Sequence, residues 1–331
     1  MAEAVRTDLV QGTDEWLAAR RDGIGSSDAP VIAGESPYRG AYALWAEKTG
    51  LAAPEEPDAA QARLFRIGHL MEPVLLEMYE AETGRRTRRE PRMLRHPSVP
   101  WMTASLDASV PGEPVIVECK WTNAARWRGA EDGIPADVLA QVQHAMAVTG
   151  AERADVVALV GSELRIVPVP RDDAYIADLM ALEADFRRRV VERDPPEPDG
   201  SDATRRALSR AHPRPTAGLL PASPDVEALV RELAARKAAA REAEQAIGSI
   251  ENALRALVGD AEGLEGPWGQ VTWRRNADSA RVNWPAIAAA HRARLESLGA
   301  DPAELAAVES EHTETVQGPR VLRTRLARES S

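Results

Sequence analysis

The sequence predicts a mixed α/β domain over residues 1–193, with a central sheet flanked by helices, and a mainly helical extension over residues 203–331. Runs with helical apolar spacing alternate with short runs rich in valine and isoleucine in the first part, which is typical of an α/β fold. The segment 194–202, DPPEPDGSD, has the polar, proline-rich composition of a linker. These observations together predict the two-part organisation.

Each element follows from a local signal. Thr13, followed by two acidic residues, predicts a helix that runs to about Arg21, and Ser26 or Ser27 can cap a short second helix. The other predicted helices start at capping signals or show apolar residues at helical spacing, and several end at glycines. They cover residues 36–49, 59–83, 136–149, 172–193, 224–258 and 284–298. The predicted strands cover residues 101–110, 114–121, 154–161, 163–170, 268–275 and 319–326.

Composition limits the compartment and the partners. No run of 18 apolar residues exists, so we expect no transmembrane helix, and the N-terminus lacks the apolar core of a signal peptide. Cys119 is the one cysteine, which excludes an intrachain disulfide and favours a reducing cytoplasm. The net charge of −11 argues against broad nonspecific binding of nucleic acid, although a local groove can still be basic.

The predicted strand PVIVECKW carries two charges. Side chains alternate along a strand, so Glu118 and Lys120 share the face opposite to Cys119. If Val110 and Val115 flank the turn PGEP, Asp107 lies opposite Glu118 on the preceding strand.

Two close carboxylates repel each other unless a cation bridges them, and their oxygens suit Mg²⁺ or Mn²⁺. Lys120 beside them can orient a metal-bound water toward a phosphate. The pattern therefore indicates metal-assisted phosphodiester hydrolysis. The alternative is a surface hairpin whose polar face is solvated.

Asp107 and Glu118-Cys119-Lys120 match the PD-(D/E)xK nuclease core. The surrounding blocks resemble the YqaJ-type viral recombinase, or phage lambda exonuclease-like, family of these nucleases. The blocks RRDGIGSSDAPVIAG, GHLMEPVLLEMYEAETG, MTASLDASV, VIVECKW and VLAQVQHAMAVTG occur in this order across residues 11–150. The resemblance implies a restriction-endonuclease-like core.

The resemblance also implies roles for single residues. Asp107, Glu118 and the backbone carbonyl of Cys119 are expected to bind the metal, and Glu72 to act on the metal shell, directly or through water. Lys120 is expected to orient or deprotonate the attacking water, and Gln141 matches the active-site glutamine. The alternatives are an exposed helix carboxylate for Glu72 and a polar residue on an exposed helix face for Gln141, although the apolar stripe beside Gln141 places it at a core boundary.

Arg21 with Ser26 and Ser27 resembles the family's pocket for a DNA 5′-phosphate. A helix N-terminus with hydroxyls and a nearby arginine also suits an anion on physical grounds. Plain helix capping is the alternative, and the spacing to Gly23 favours Arg21 over Arg20.

Other polar residues are ambiguous. A lone histidine is more often a hydrogen-bonded structural residue than a catalytic one, and His144 is interpreted in this way. The arginines 85, 86, 88, 89, 92 and 95 either follow a phosphate backbone or form a solvated charged strand.

The sequence thus predicts a Mg²⁺- or Mn²⁺-dependent DNA nuclease. The expected activity is 5′→3′ exonuclease digestion of duplex ends, which exposes 3′ single strands for an annealing recombinase in phage-type recombination. The alternatives are a related endonuclease that needs no end and a catalytically silent DNA-binding or scaffolding subunit. The extension is expected to serve assembly, as in a homo-oligomer, or partner contact, and no membrane is expected to be involved.

Overall fold

The computed structural model describes residues 4–127, 133–216, 218–275 and 283–313. Contacts divide the chain into two compact units, Met1–Arg214 and Pro215–Ser331. Within the described ranges, no helix has the length and apolar character needed to cross a membrane.

The first unit is built on one mixed sheet, to which seven strands of the described residues contribute. The strands follow the order β1-β3-β4-β5-β6-β7, and β2 lies beside β4. β2 pairs with β4 and β5 pairs with β6 in parallel, whereas the other pairs are antiparallel. Their bounds are β1 Val5–Val10, β2 Ile24–Gly25, β3 Arg88–Arg95, β4 Met102–Ser109, β5 Val115–Thr122, β6 Arg153–Val160 and β7 Glu163–Pro170.

Helices cover both faces of this sheet. The alternation of β5 sends Val115 and Val117 into a core with the helix Ala59–Thr83, and Ile116 into a core with the helix Ala136–Thr149. The helices of the unit are α1 Asp14–Asp22, α2 Ala29–Ile32, α3 Ala41–Lys48, α4 Ala59–Thr83, α5 Ala124–Trp127, α6 Ala136–Thr149, α7 Asp173–Glu192 and α8 Asp202–Ala211. This is the predicted central sheet flanked by helices.

Local capping explains why several predicted bounds are confirmed. Asp58 and Gln61 form a capping box at the start of α4, and Gly84 ends it in the left-handed conformation with φ of 69°. Thr13 accepts a hydrogen bond from the Trp16 amide at the start of α1, as predicted. Each of these signals needs only neighbouring residues, so the sequence contains it in full.

The start of α2 differs from the prediction. The residue that precedes it is Asp28, whose side chain makes no capping bond, and neither Ser26 nor Ser27 caps the helix. α2 has four residues, so its dipole is too small to contribute to an anion site at its N-terminus.

The boundary between the two parts also differs from the predicted linker at 194–202. α8 belongs to the first unit, where Ala203 and Ala207 are buried in the cluster that contains Trp45 and Phe186. Nε of Arg210 also donates to the Ala53 carbonyl at 3.2 Å. The division falls after Arg214 because these long-range contacts outweigh the proline-rich composition of the preceding segment.

The second unit contains one long helix, a hairpin and two further helices among its described residues. They are α9 Pro224–Val258, β8 Gly263–Gly266, β9 Gly269–Thr272, α10 Trp284–Ser297 and α11 Pro302–Glu311. The predicted helices over 224–258 and 284–298 are confirmed, and the strand predicted over 268–275 is shorter. The strand predicted over 319–326 lies outside the described residues.

Candidate active site

The two central carboxylates lie on neighbouring strands. Ala108 pairs with Val117 and Ser109 with Ile116, so the same register brings Asp107 level with Glu118. The register predicted from the turn is therefore confirmed. The Cys119 amide donates to Oδ2 of Asp107 at 2.7 Å, which fixes the Asp107 side chain against β5.

Gln141 joins this pair from α6, which packs on the face of the sheet toward which Glu118 and Lys120 point. Nζ of Lys120 lies 2.7 Å from Oε1 of Glu118 and 2.9 Å from Oε1 of Gln141. Nε2 of Gln141 donates to Oε1 of Glu118 at 2.6 Å, which closes a triangle of three side chains. Gln141 reaches it because Val138, Val142 and other apolar residues bury the rest of α6.

Burial and like charge act strongly on this cluster. Burial and the Glu118 carboxylate raise the pKa of Asp107 to about 8, against the opposing effect of the Cys119 amide and Lys120. Burial opposes the charge of Lys120, but Glu118 outweighs it and raises the pKa of Lys120, which is therefore a cation at neutral pH. Burial raises the pKa of the Cys119 thiol, so this side chain is neutral and has no role as a thiolate.

The donor set suits a hard divalent cation. Oδ1 of Asp107 and Oε2 of Glu118 have no hydrogen-bond partner among the described residues. Those residues contain no cluster of three or more His, Cys, Asp or Glu side chains able to hold a metal. A site made of two carboxylates and a main-chain carbonyl would use these two oxygens and needs no third side-chain ligand. Mg²⁺ commonly binds one or two carboxylates and keeps several waters, so it suits such a site.

Glu72 lies at the edge of this arrangement. Sγ of Cys119 is 3.9 Å from the Glu72 carbonyl oxygen, so α4 passes directly over β5 at this point. The Glu72 carboxylate forms an ion pair with Arg89 at 3.3 Å. Glu72 and Asp107 line the same cavity of about 490 Å³, together with His69, Glu90 and Leu106. Glu72 thus faces the cavity rather than bulk solvent, and its charge contributes to the raised pKa of Asp107.

The predicted phosphate pocket has a different arginine. Nη2 of Arg20 donates to Oγ of Ser27 at 2.7 Å, and its guanidinium lies 4.9 Å from the centre of the Trp16 ring. Arg21 is exposed on another side of α1. Oγ of Ser26 is buried without a hydrogen-bond partner in the described part of the chain. The structure thus brings Arg20, and not the predicted Arg21, to Ser27, and binding of a phosphate by these residues stays a prediction.

Sequence reasoning missed two residues that shape this pocket. Nζ of Lys48, a buried side chain, lies 2.9 Å from the Arg20 carbonyl, 2.6 Å from the Gly23 carbonyl and 2.9 Å from Asp28. Nothing in its sequence context signals this role. Ser105 accepts a hydrogen bond from Nε1 of Trp16 at 3.1 Å. Residues two apart in a strand lie on the same face, so Ser105 shares the face of Asp107. The sequence therefore contained a signal for Ser105, two residues before Asp107.

β4 connects the pocket to the carboxylates. Gly25 pairs with Thr103, which lies four residues before Asp107. Along a strand this separation is about 13 Å. The pocket and the carboxylate cluster therefore lie along a single strand of one sheet.

His144 is structural. Nε2 of His144 donates to the Thr103 carbonyl at 3.0 Å, and Nδ1 lies 2.7 Å from Oε1 of Glu183. Both His144 and Glu183 are fully buried. This agrees with the structural interpretation of His144.

Most of the arginines around β3 are paired with carboxylates. The pairs are Arg85–Glu113, Arg86–Glu80, Arg89–Glu72 and Arg92–Asp8. A phosphate backbone would have to compete with these carboxylates, so the structure favours the interpretation as a charged strand.

The chain is similar in sequence to known proteins. A model of the YqaJ-like viral recombinase domain matches residues 15–152, which contain the carboxylate cluster and the pocket. The uncharacterized protein YqaJ of Bacillus subtilis (strain 168) is 33% identical over 216 residues, which are 64% of this chain and 67% of that protein.

Solved structures of an exonuclease and of a putative exonuclease follow a similar course of the chain. An alkaline exonuclease from Laribacter hongkongensis is 24% identical and covers 55% of this chain and 94% of its own, with a TM-score of 0.45. A putative exonuclease from Eubacterium rectale is 12% identical and covers 65% of this chain and 97% of its own, with a TM-score of 0.43.

Proposed function

The chain belongs to the YqaJ-like viral recombinase domain family, and on this premise we propose that it is a Mg²⁺-dependent DNA exonuclease. It digests duplex ends in the 5′→3′ direction and exposes 3′ single strands. A single-strand annealing recombinase is the partner that uses this product. Mn²⁺ substitutes for Mg²⁺ at a site of the same ligands.

One observation carries the proposal. Asp107, Glu118, Lys120 and Gln141 come from two strands and a helix and converge on a single point. DNA binding alone requires cations, not a pair of adjacent carboxylates, which repel phosphate. The cluster therefore supports hydrolysis over a silent binding or scaffolding role.

The residues divide the chemistry among them. Asp107, Glu118 and the Cys119 carbonyl would hold the metal, with Glu72 acting through water from the cavity. When bound, the ion polarises the scissile phosphate and lowers the pKa of a water. Lys120, held by Glu118 and Gln141, orients the attacking water and stabilises the negative charge that develops on the phosphate. The strong attraction between this ammonium and Glu118 keeps it in place.

The pocket around Arg20 supports action at ends. A 5′-terminal phosphate offers more negative charge than an internal phosphodiester. The Arg20 guanidinium and the unpartnered hydroxyl of Ser26 provide donors for its oxygens. An enzyme that holds this group while it cuts nearby must start at the 5′ terminus.

The proposal is tested with end-labelled duplexes. Linear and covalently closed DNA are incubated with the protein, with and without Mg²⁺. The expected result is Mg²⁺-dependent release of label from 5′ ends of linear DNA alone. Asp107→Ala and Glu118→Ala should abolish release, whereas Glu163→Ala, which removes an exposed carboxylate from β7, should not. Mg²⁺ should also raise the melting temperature of the wild type but not of Asp107→Ala.

Other outcomes identify the alternatives. Cutting of closed circles would establish the endonuclease. Near-normal turnover by either alanine variant would remove the metal-ligand assignment. DNA binding without cleavage under any metal condition would establish the silent subunit.

A further inference from the structure

The long helix α9 carries a seven-residue apolar repeat along one side. Its first repeat position holds Val226, Leu233, Ala240, Ile247 and Leu254, and its fourth holds Leu229, Arg236, Ala243, Ile250 and Leu257. Arg236 is the one polar residue in the series. A 3.5-residue apolar period sustained over five heptads is the pattern of a left-handed coiled coil.

Most of this stripe is exposed to solvent. Leu229 is 66% exposed, Ile250 is 63% exposed and Leu257 is 70% exposed, and the central alanines are exposed too. Val258 is the one buried residue of α9. The helix has 35 residues and is therefore about 52 Å long. An apolar seam of this length costs free energy in water, so it needs a partner.

We propose that α9 pairs with α9 of a second copy of this chain as an antiparallel coiled coil. The helices cross between Ala240 and Ala243, so that each first-position residue meets a fourth-position residue of the other copy. Two such layers are Leu229 against the partner's Leu254 and Leu233 against the partner's Ile250. Large side chains then fill both ends, and alanines let the helices approach closely at the centre.

The charged residues of α9 favour the antiparallel orientation, and they favour a second copy of α9 as the partner. A parallel pair in register would stack Arg236 on the partner's Arg236 inside the seam, where like charges are costly. The antiparallel pair places Arg236 beside the partner's Ile247 and brings Lys237 next to the partner's Glu244. Twofold symmetry makes this ion pair occur twice. The sequence of α9 is thus complementary to itself when one helix is reversed.

Disulfide trapping tests the orientation in the full-length protein. Leu229→Cys and Leu254→Cys are made separately and oxidised, alone and as an equal mixture. In the antiparallel pair, position 229 of one copy lies about 37 Å from position 229 of the other, given the 1.5 Å rise per residue. The expected result is a cross-linked dimer in the mixture and not in either variant alone. Cross-linking of each variant alone would overturn the antiparallel arrangement, and no cross-linking at all would overturn the pairing.

Variants with exchanged charges test the same interface, because light scattering measures the mass of the particle in solution. Wild-type protein should scatter light as a particle of twice the chain mass. Lys237→Glu should weaken the dimer by about tenfold or more, because it places like charges together twice. Adding Glu244→Lys should restore it. Arg241→Glu, an equal change of charge on the outer side of α9, should leave the dimer intact. Equal weakening by Arg241→Glu, or a wild type of single-chain mass, would overturn the proposal without affecting the nuclease assignment.

Discussion

Gln141 shows how a single amide can organise a charged cluster. Its oxygen accepts from Lys120 and its nitrogen donates to Glu118, which a carboxylate or an apolar side chain could not do at once. Gln143, two residues later, uses its side-chain oxygen and nitrogen to bond the main chain instead. It donates to the Pro170 carbonyl and accepts from the Asp172 amide, and so ties α6 to the start of α7.

These two glutamines make a matched pair of variants. Gln141→Ala should slow single-turnover digestion by about 10- to 100-fold, because Lys120 and Glu118 lose the group that orients them. Its unfolding transition should change little. Gln143→Ala should instead lower the free energy of unfolding by about 1–3 kcal/mol, because it leaves buried polar groups without partners. Urea denaturation and quenched-flow digestion measure the two effects, and a reversed pattern would contradict the assignment of Gln141.

His144 makes stability depend on pH. Burial opposes its charge, but Glu183 and the Thr103 carbonyl outweigh burial and raise the pKa of His144. The native state then keeps a proton that the unfolded state loses near pH 6.5. The pair's contribution to stability is therefore complete below that pH and falls as pH rises through the raised pKa.

Glu183→Gln should reverse this dependence. Without the carboxylate, burial lowers the pKa of His144, which ring NMR detects. The loss of unfolding free energy relative to wild type should be larger at about pH 6 than at about pH 9. Glu192→Gln, an exposed change on the same helix, is the control. A loss that does not vary with pH would mean that His144 is neutral in the wild type.

At the scale of the element, helical geometry decides which arginine lies beside Ser27 in the proposed phosphate pocket. Arg20 follows the buried Trp16 by four residues, so both lie on one face of α1, and the indole supports the guanidinium. Arg21 lies about 100° further around the helix and is exposed. Spacing to Gly23 alone could not reveal this, because it ignores which face of α1 is buried.

The two neighbouring arginines give a sharp test of end recognition. Arg20→Ala should slow digestion of 5′-phosphorylated ends by about tenfold or more and affect 5′-hydroxyl ends less, because the lost contact is to the terminal phosphate. Arg21→Ala should behave like wild type on both. Rates are compared on duplexes that differ in this phosphate alone. Equal slowing of both ends by Arg20→Ala would assign Arg20 a structural role.

At the scale of the whole molecule, α8 decides where the first unit ends. It follows the proline-rich segment and returns to α3, where Ala207 is fully buried. Its removal would expose the apolar cluster around Trp45. The remaining residues of that cluster would then face water.

Two truncated chains separate this unit from the predicted linker. A chain that ends at Arg214 should fold and keep metal-dependent hydrolysis as a monomer, because the candidate site and α8 are both retained. A chain that ends at Asp199 should lose about 2–4 kcal/mol of unfolding free energy, through the exposed cluster. Urea denaturation, light scattering and end digestion make the comparison. Equal stability of both would return the boundary to residues 194–202.

The sequence by itself determined the features that depend on neighbouring residues. The capping box of Asp58 and Gln61 set the start of α4, and alternation along β5 separated Glu118 and Lys120 from the Cys119 side chain. The tight turn after Val110 set the register that brings Asp107 beside Glu118. In each case the signal lies within a few residues, where backbone geometry leaves little freedom.

Only the tertiary structure decided the rest. The bonds from Gln141 to Glu118 and Lys120, the hold of Lys48 on the Arg20 turn, and the return of α8 to α3 join residues far apart in the chain. Such contacts depend on how whole helices pack on the sheet, and packing is a sum over many side chains. A short motif cannot encode that sum, so these contacts became visible only once the elements were in place.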